Sequence, residues 1–173
     1  TMSLEGLTSG SITVGLNVLG NVVNNGTLTL ATSTERLKCV NFTNGTNGTT
    51  TLSNQVGGDL EVTGNLTDNG LFNSNARAVF FTGAGTQTIG GTASAPFDFD
   101  YVIVDKLSGT VQLQTNLLVG AFTITNGTVN LGSAYHTAGS LTLGSTAQTT
   151  GSSYGDRKST RLNSSHEWIS RMP

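Results

Sequence analysis

Residues 16–28 read LNVLGNVVNNGTL, and residues 60–72 read LEVTGNLTDNGLF. The two stretches lie 44 residues apart and share one order of features: alternating apolar residues, a Gly-Asn pair, a second apolar segment and a closing Asn-Gly. A half-step of 22 residues relates two further sets: Asn25, Asn47 and Asn69, each followed by glycine, and Val18, Val40 and Val62. Repeats of this length indicate a solenoid, whose units bury their apolar faces against each other.

The pattern continues with a looser period toward the C-terminus. GTVQL at 109–113 returns as GTVNL at 127–131 and, after a still shorter interval, as GSLTL at 139–143. Apolar and polar side chains alternate in these segments, which directs one side of a strand inward and the other outward. A repeat of about 20 residues is long enough for a coil of short strands. Asn-Gly tolerates the positive φ that a tight corner between such strands needs.

These features predict an all-β chain folded as a parallel β-helix of roughly seven coils. Because Asn-Gly is also the strongest two-residue hairpin signal, an antiparallel β-sandwich is the alternative. In the β-helix, the three valines of the half-step form one inward column, spaced about 4.8 Å from coil to coil. The three asparagines occupy equivalent corners. In the sandwich, the same residues pair across hairpins.

The C-terminal segment 156–173, DRKSTRLNSSHEWISRMP, is unlike the rest of the chain. It holds no glycine, half of the eight Lys and Arg residues and the only tryptophan. Its back-translation resembles a common short-read sequencing adapter that runs into a sample index. We therefore expect a β-helix repeat fragment at 1–155, incomplete at both ends, and a non-native tail at 156–173 that packs against nothing in the β-helix.

Without this tail, the chain is sparsely charged. Residues 1–155 contain four Lys and Arg residues against eight Asp and Glu residues, a formal net charge of −4. They form no basic patch able to neutralise phosphates, so we expect no nucleic-acid partner. No apolar run reaches the roughly 20 residues of a membrane span, so we expect no membrane insertion. The single Cys39 is expected to behave as a small hydrophobe, and no motif calls for a cofactor.

A resemblance to a known class of proteins follows from the central segments. Residues 79–91 read VFFTGAGTQTIGG, and residues 97–106 read FDFDYVIVDK. Together with the strands at 111–131, they resemble a repeat of large bacterial surface proteins exported by the type IX secretion route. They are similar, more loosely, to haemagglutinin-like and autotransporter β-helices. The resemblance implies secretion, an extracellular or cell-surface location and a role as a structural or adhesin-like scaffold, with neighbouring repeats of the same chain as partners.

Asp98 and Asp100 are the candidates for a glycan or cation site. They stand two residues apart on a predicted strand, opposite Phe97, Phe99 and Tyr101. Both carboxylates would project from one face about 6.5–7 Å apart, a separation that suits paired-carboxylate glycoside hydrolysis or a hard-cation site. The competing interpretation is two solvated acids that flank an aromatic core row.

The other candidate features indicate less. Arg36-Leu-Lys38 is similar to the Arg-x-Lys element of pectin-cleaving β-helix hydrolases, but it precedes the acids, and the Gly-His-Gly and Asp-Asp elements of those enzymes are missing. His136 has no recognisable nucleophile beside it. A third feature consists of Thr-x-Thr pairs that could form a ladder for ice or polysaccharide: Thr27/Thr29, Thr86/Thr88 and Thr123/Thr125. Their spacings are not multiples of one coil, which argues against a flat matching surface.

Three classes of function therefore remain open. The first is a non-catalytic structural or adhesin-like scaffold, which the composition and the resemblance favour. The second is a β-helix that binds surface glycans, and an exposed aromatic row beside an acid would favour it. The third is a polysaccharide-cleaving enzyme, which would need a groove that holds Asp98, Asp100 and a basic residue together. We expect no catalytic, cofactor-binding or metal-binding residues.

Overall fold

The chain folds as an all-β parallel solenoid of about six turns in a computed structural model. The structure describes residues 15–92 and 97–149 and, for three further strands, the backbone of residues 2–3, 10–11 and 161–163. Every regular element in these residues is a β-strand. Parallel pairing between successive coils confirms the β-helix and excludes the sandwich, with a coil count close to the predicted seven.

Three sheet faces surround the core. The first face contains β3 (Leu16–Asn17), β6 (Leu37–Cys39), β9 (Leu60–Val62), β12 (Ala78–Phe81) and then residues 101–104, 121–124 and 140–143 of the long strands β14 (Phe97–Leu113), β15 (Leu117–Asn130) and β16 (His136–Leu143). Leu60 pairs in register with Leu37 in the coil before it and with Val79 in the coil after it. Each coil therefore uses about one repeat of the sequence.

The second and third faces complete the coil. The second contains β1 (Met2–Ser3), β4 (Val22–Asn24), β7 (Phe42–Asn44), β10 (Leu66–Asp68), β13 (Gln87–Gly90) and residues 110–112 and 128–130. The third contains β2 (Gly10–Ser11), β5 (Thr27–Thr29), β8 (Thr49–Thr51) and β11 (Leu71–Asn73). Later coils contribute residues 97–99, 117–119 and 136–138, which pair with one another along the same side of the stack.

The predicted valine column is wrong in one of its three members. Val18 and Val62 are buried in the core, but Val40 lies outside, with 37% of its surface exposed. Cys39 is the register partner of Val62 and is buried in the place predicted for Val40. The coils differ in length instead of keeping a constant step, and a one-residue slip moves a strand side chain to the opposite face.

The predicted Asn-Gly corners are equivalent in two cases out of three. Asn25-Gly26 and Asn69-Gly70 each form a two-residue connection between the second and third faces. The corresponding connection in the coil between them has four residues, 45–48, so Asn47 lies in a longer corner. Gly26, Gly48 and Gly70 nevertheless precede strands that pair in register, which is why a regular step is visible in the sequence.

A buried polar column runs through the core beside these corners. The Nδ2 of Asn24 donates to Oδ1 of Asn44 at 3.0 Å, and the Nδ2 of Asn44 donates to Oδ1 of Asp68 at 2.8 Å. The hydroxyl of Thr50 joins the column by donating to Asn44 Oδ1. This ladder lies at the last inward position of the second-face strands, one residue before the corners. Buried amides persist there because each finds partners in the next coil.

Lys106 is the second buried polar feature and is almost fully enclosed at the corner between the first and second faces. Its ammonium donates to the carbonyl oxygens of Gly83 and Gly85 and to Oε1 of Gln87. Burial lowers the pKa of Lys106 from its ordinary value. Three oxygen acceptors thus compensate for removing this charge from water, as a buried ionisable group requires.

Part of the C-terminal segment pairs with the solenoid. Strand β18 (Arg161–Asn163) runs antiparallel to residues 128–130, so the expectation that the tail touches nothing is wrong for these three residues. The short β17 (Thr146–Ala147) pairs antiparallel with the end of β16. The remaining residues of 156–173 lie outside the described part of the chain, and the division at residue 155 stays a prediction.

Candidate functional site

The two predicted site aspartates occupy different surroundings. Asp98 is exposed on the outer side of the third face, in register with Leu118. Asp100 lies at the next corner, where Oδ2 accepts hydrogen bonds of 2.6 Å from the Ser74 hydroxyl and from the Ala76 amide. This carboxylate holds the turn of the preceding coil. Asp98 therefore lies on the third face and Asp100 at the corner that follows it, instead of both on one flat strand.

The same corner places the three aromatic residues of this strand on different sides of the sheet. Phe97 and Phe99 are buried as predicted, but Tyr101 points outward with 45% of its surface exposed. Inward residues no longer alternate strictly between Phe99 and Val102, because two outward positions fall at the corner. The expectation that Tyr101 belongs to the core row is wrong for this reason.

The exposed ring of Tyr101 is flanked by small side chains. Its register partners on the neighbouring strands are Ala78 and Ala121. In the outward row beside it, Phe80 pairs with Ile103 and with Glu61. An alanine on each side leaves the tyrosine ring exposed, and Phe80 lies two residues along the neighbouring strand from Ala78.

A cluster of charged residues lies next to these aromatic residues on the first face. The Nη1 of Arg36 donates to Oε2 of Glu61 at 2.8 Å, and Lys38 Nζ lies 3.2 Å from the same oxygen. The other carboxylate oxygen accepts from the Thr82 hydroxyl at 3.2 Å, while Asp59 lies 3.8 Å from Arg36 Nε. Partial burial pushes the pKa of Glu61 upward, but the hydrogen bonds and positive charges of Arg36 and Lys38 outweigh it and hold that pKa below its ordinary value.

Arg36 links the charges to the aromatic residues. Its guanidinium carbon lies 3.6 Å from the centre of the Phe80 ring, in a cation–π contact. We call this surface the first-face strip, and it consists of Arg36, Lys38, Asp59, Glu61, Phe80, Tyr101 and Ile103. Sequence reasoning did not bring these residues together. The sequence did contain a signal for this cluster. Lys38 and Glu61 carry opposite charges about one coil apart, and they are register partners.

A cleft opens at the charged end of the strip. Its volume is about 480 Å³, and it is lined by Gly15, Leu16, Asn17, Thr34, Glu35, Arg36, Lys38 and Gly57. Volumes of this size are typical of small-ligand sites. The strip and the cleft share Arg36 and Lys38, so they form one continuous surface.

The remaining predicted features take structural positions. Nε2 of His136 lies 2.7 Å from the carbonyl oxygen of Leu131, within the same coil. Thr27 and Thr29 align in register with Thr49 and Thr51, a match that the spacing argument overlooked. The next coil places Leu71 and Asn73 at those positions, so the threonine ladder spans two coils.

Within the described residues, no group of three or more His, Cys, Asp or Glu side chains is arranged to hold a metal ion. The same residues include no helix of the length and apolar character needed to cross a membrane. Comparisons with protein-family models, with curated proteins and with solved structures found no match to this chain. The chemistry of the candidate site therefore follows from its geometry alone.

Proposed function

We propose that this chain is a structural, adhesin-like scaffold segment of a secreted bacterial cell-surface protein, and that it performs no catalysis. The observation that carries the proposal is the uninterrupted parallel stack with one core, which extends from Val18 in the first complete coil to Val129 near the last. A solenoid whose coils contact only their neighbours grows into a stiff rod by repetition. Such a rod suits a stalk that projects a surface away from a cell.

The proposal of no catalysis is supported by how four of the seven carboxylates in the described residues are used. Asp100 holds a turn, Asp59 accepts from the Ala78 amide at 2.9 Å, and Glu61 accepts from three side chains. Asp68 is engaged inside the polar column. A general acid or base needs a proton it can exchange with substrate, and these groups are committed to the protein.

The location outside the cell is tested by antibody labelling. Antibodies against the purified chain should label intact cells of the source bacterium, and brief treatment of those cells with protease should remove the signal. Permeabilised cells serve as the control for total protein. Labelling that occurs only after permeabilisation would contradict the proposal.

A further inference from the structure

We propose that the first-face strip binds a neutral polysaccharide. This inference rests on the proposed scaffold function and names the ligand that such a rod would bind. It rests on four observations: the exposed Tyr101, the unused hydrogen-bond donors, the balanced charge and the length of the strip.

The exposed ring of Tyr101 provides an apolar platform. Tyr101 is 45% exposed between two alanines, and Phe80 lies in the neighbouring outward row. Large aromatic side chains contribute most of the apolar contact area in binding sites, and tyrosine adds a hydroxyl that hydrogen-bonds at the wet edge. The faces of pyranose rings carry C–H groups that pack on such platforms. Tyr101 is thus the central contact residue of the strip.

The charged cluster adds directional contacts. A guanidinium has five N–H donors and an ammonium has three. In the described contacts, Arg36 directs Nε and Nη1 toward Asp59 and Glu61, and Lys38 meets only Glu61. Lys38 is half exposed. Donors therefore remain available for hydroxyl groups, while the ion pairs hold both cations in place.

The charge balance selects the class of polysaccharide. Arg36 and Lys38 are matched by Asp59 and Glu61, so the strip carries no net formal charge. Glu35 adds a negative charge where it lines the cleft. A polysaccharide that carries carboxylates would meet no excess of positive charge here, and like charges oppose each other at short range. A neutral chain fits the surface better.

The length of the strip suits a polymer. Together with Asn17 of the adjoining cleft, the outward row of the strip crosses five adjacent strands of the first face and ends at Ile103. With strands about 4.8 Å apart, the row is about 19 Å long. A surface of this length exceeds a single sugar and accommodates several linked units along the solenoid axis.

Affinity electrophoresis of the intact chain tests the inference. Native gels contain xylan, galactomannan or mixed-linkage β-glucan as neutral probes and polygalacturonate as the acidic probe. We expect at least one neutral polysaccharide to retard the protein. Tyr101→Ala should raise the Kd about tenfold, the effect of removing a central aromatic contact. Phe80→Ala should weaken binding because it removes the ring on which the Arg36 guanidinium rests. Tyr135→Ala is the matched control, because Tyr135 is 79% exposed outside the strip.

Three results would overturn the inference: no retardation by any of the neutral probes, retardation by polygalacturonate alone, or equal loss of binding in Tyr135→Ala. Circular dichroism verifies that each variant is folded. If Phe80→Ala unfolds, Tyr101→Ala still decides the outcome, because Tyr101 lies outside the core. Failure of glycan binding leaves the cell-surface labelling unaffected, so the two proposals fail independently.

Discussion

The side-chain amide of Asn44 donates a hydrogen bond of 2.8 Å to Oδ1 of Asp68 in the interior of the solenoid. Asn24 donates to Asn44 in the same direction at 3.0 Å, so three consecutive coils share one line of buried hydrogen bonds. Each group is satisfied only if the coils stack in the correct register. The column therefore makes one register of the coils more stable than others that the apolar core would tolerate.

Replacing the centre of this column should destabilise the protein. Asn44→Ala removes four hydrogen bonds of a buried side chain, those of Asn44 with Asn24, Thr50, Asp68 and the carbonyl oxygen of Leu71. Each such hydrogen bond contributes about 0.5–1.5 kcal/mol, so we expect the free energy of unfolding to fall by about 2–4 kcal/mol in urea titrations. Asn47→Ala is the control, since Asn47 is exposed in a corner. A loss in Asn44→Ala no larger than that in Asn47→Ala would show that the column is not stabilising.

The carboxyl group at the end of the column should make stability depend on pH. Burial raises the pKa of Asp68, against smaller lowering effects of its hydrogen bonds from Asn44 and Gly70. The folded state thus binds a proton more readily than the unfolded state. The cost of the buried charge is present above the raised pKa and is relieved as the pH falls toward the ordinary range of an aspartate.

Asp68→Asn removes this charge and retains an oxygen acceptor. We expect the variant to unfold at a higher urea concentration than the parent at neutral pH, with the difference shrinking on acidification. Asp98→Asn, at an exposed position, should change the unfolding free energy by no more than about 0.5 kcal/mol at either pH. A difference that grows toward acid pH would contradict the assigned direction.

Removing the buried ammonium should also destabilise the fold. Lys106→Met preserves much of the side-chain volume but removes the ammonium donor from the carbonyl oxygens of Gly83 and Gly85 and from Gln87 Oε1, which keeps only the Gly83 amide. We expect a loss of about 2 kcal/mol or more in the free energy of unfolding. Lys38→Met, which removes a half-exposed partner of Glu61 but leaves the Arg36 ion pair in place, should cost less than about 1 kcal/mol. Equal effects in the two variants would argue that the Lys106 contacts contribute nothing special.

The thiol of Cys39 should be inert in the folded protein. Burial in the core raises its pKa to about 12, so the reactive thiolate is scarce at neutral pH. An aromatic disulfide reagent should label Cys39 only when urea unfolds the protein. Absorbance measures the rate of labelling, and mass spectrometry identifies the labelled residue. Prompt stoichiometric labelling without denaturant would mean that the first face opens readily around Cys39.

Two glycines in neighbouring coils, Gly109 and Gly85, should differ in how much replacement by alanine destabilises the protein. Gly109 has a φ of +78°, and an added Cβ would lie 2.4 Å from the carbonyl oxygen of Gly85. Gly109→Ala should lower the free energy of unfolding by about 1–3 kcal/mol, because the backbone there is left-handed and the added Cβ would clash with the preceding coil. At Gly85, no atom lies within 4 Å of an added Cβ, so Gly85→Ala should stay within about 1 kcal/mol of the parent. Comparable losses at both positions would contradict this close stacking.

The repeat pattern predicted the architecture, with an antiparallel β-sandwich as the alternative. The recurrence of residues 16–28 at 60–72 and the alternation around 109–131 were sufficient to predict parallel coils. The physical reason is that stacking requires like residues to meet in every coil, so the apolar residues of the core recur at an interval of about one coil. The inward positions of Phe97 and Phe99 followed from the same alternation, because strand side chains point to opposite faces in turn.

Only the tertiary structure decided which residues meet between coils. Corner lengths vary, so the partner of Val62 is Cys39 and not Val40, and the buried ladder joins Asn24, Asn44 and Asp68 instead of the corner asparagines. Register depends on the sum of the preceding connections, and one residue more or less reverses inside and outside. The first-face strip arises in the same way. Its residues lie about one coil apart along the chain, and no local pattern marks them as neighbours.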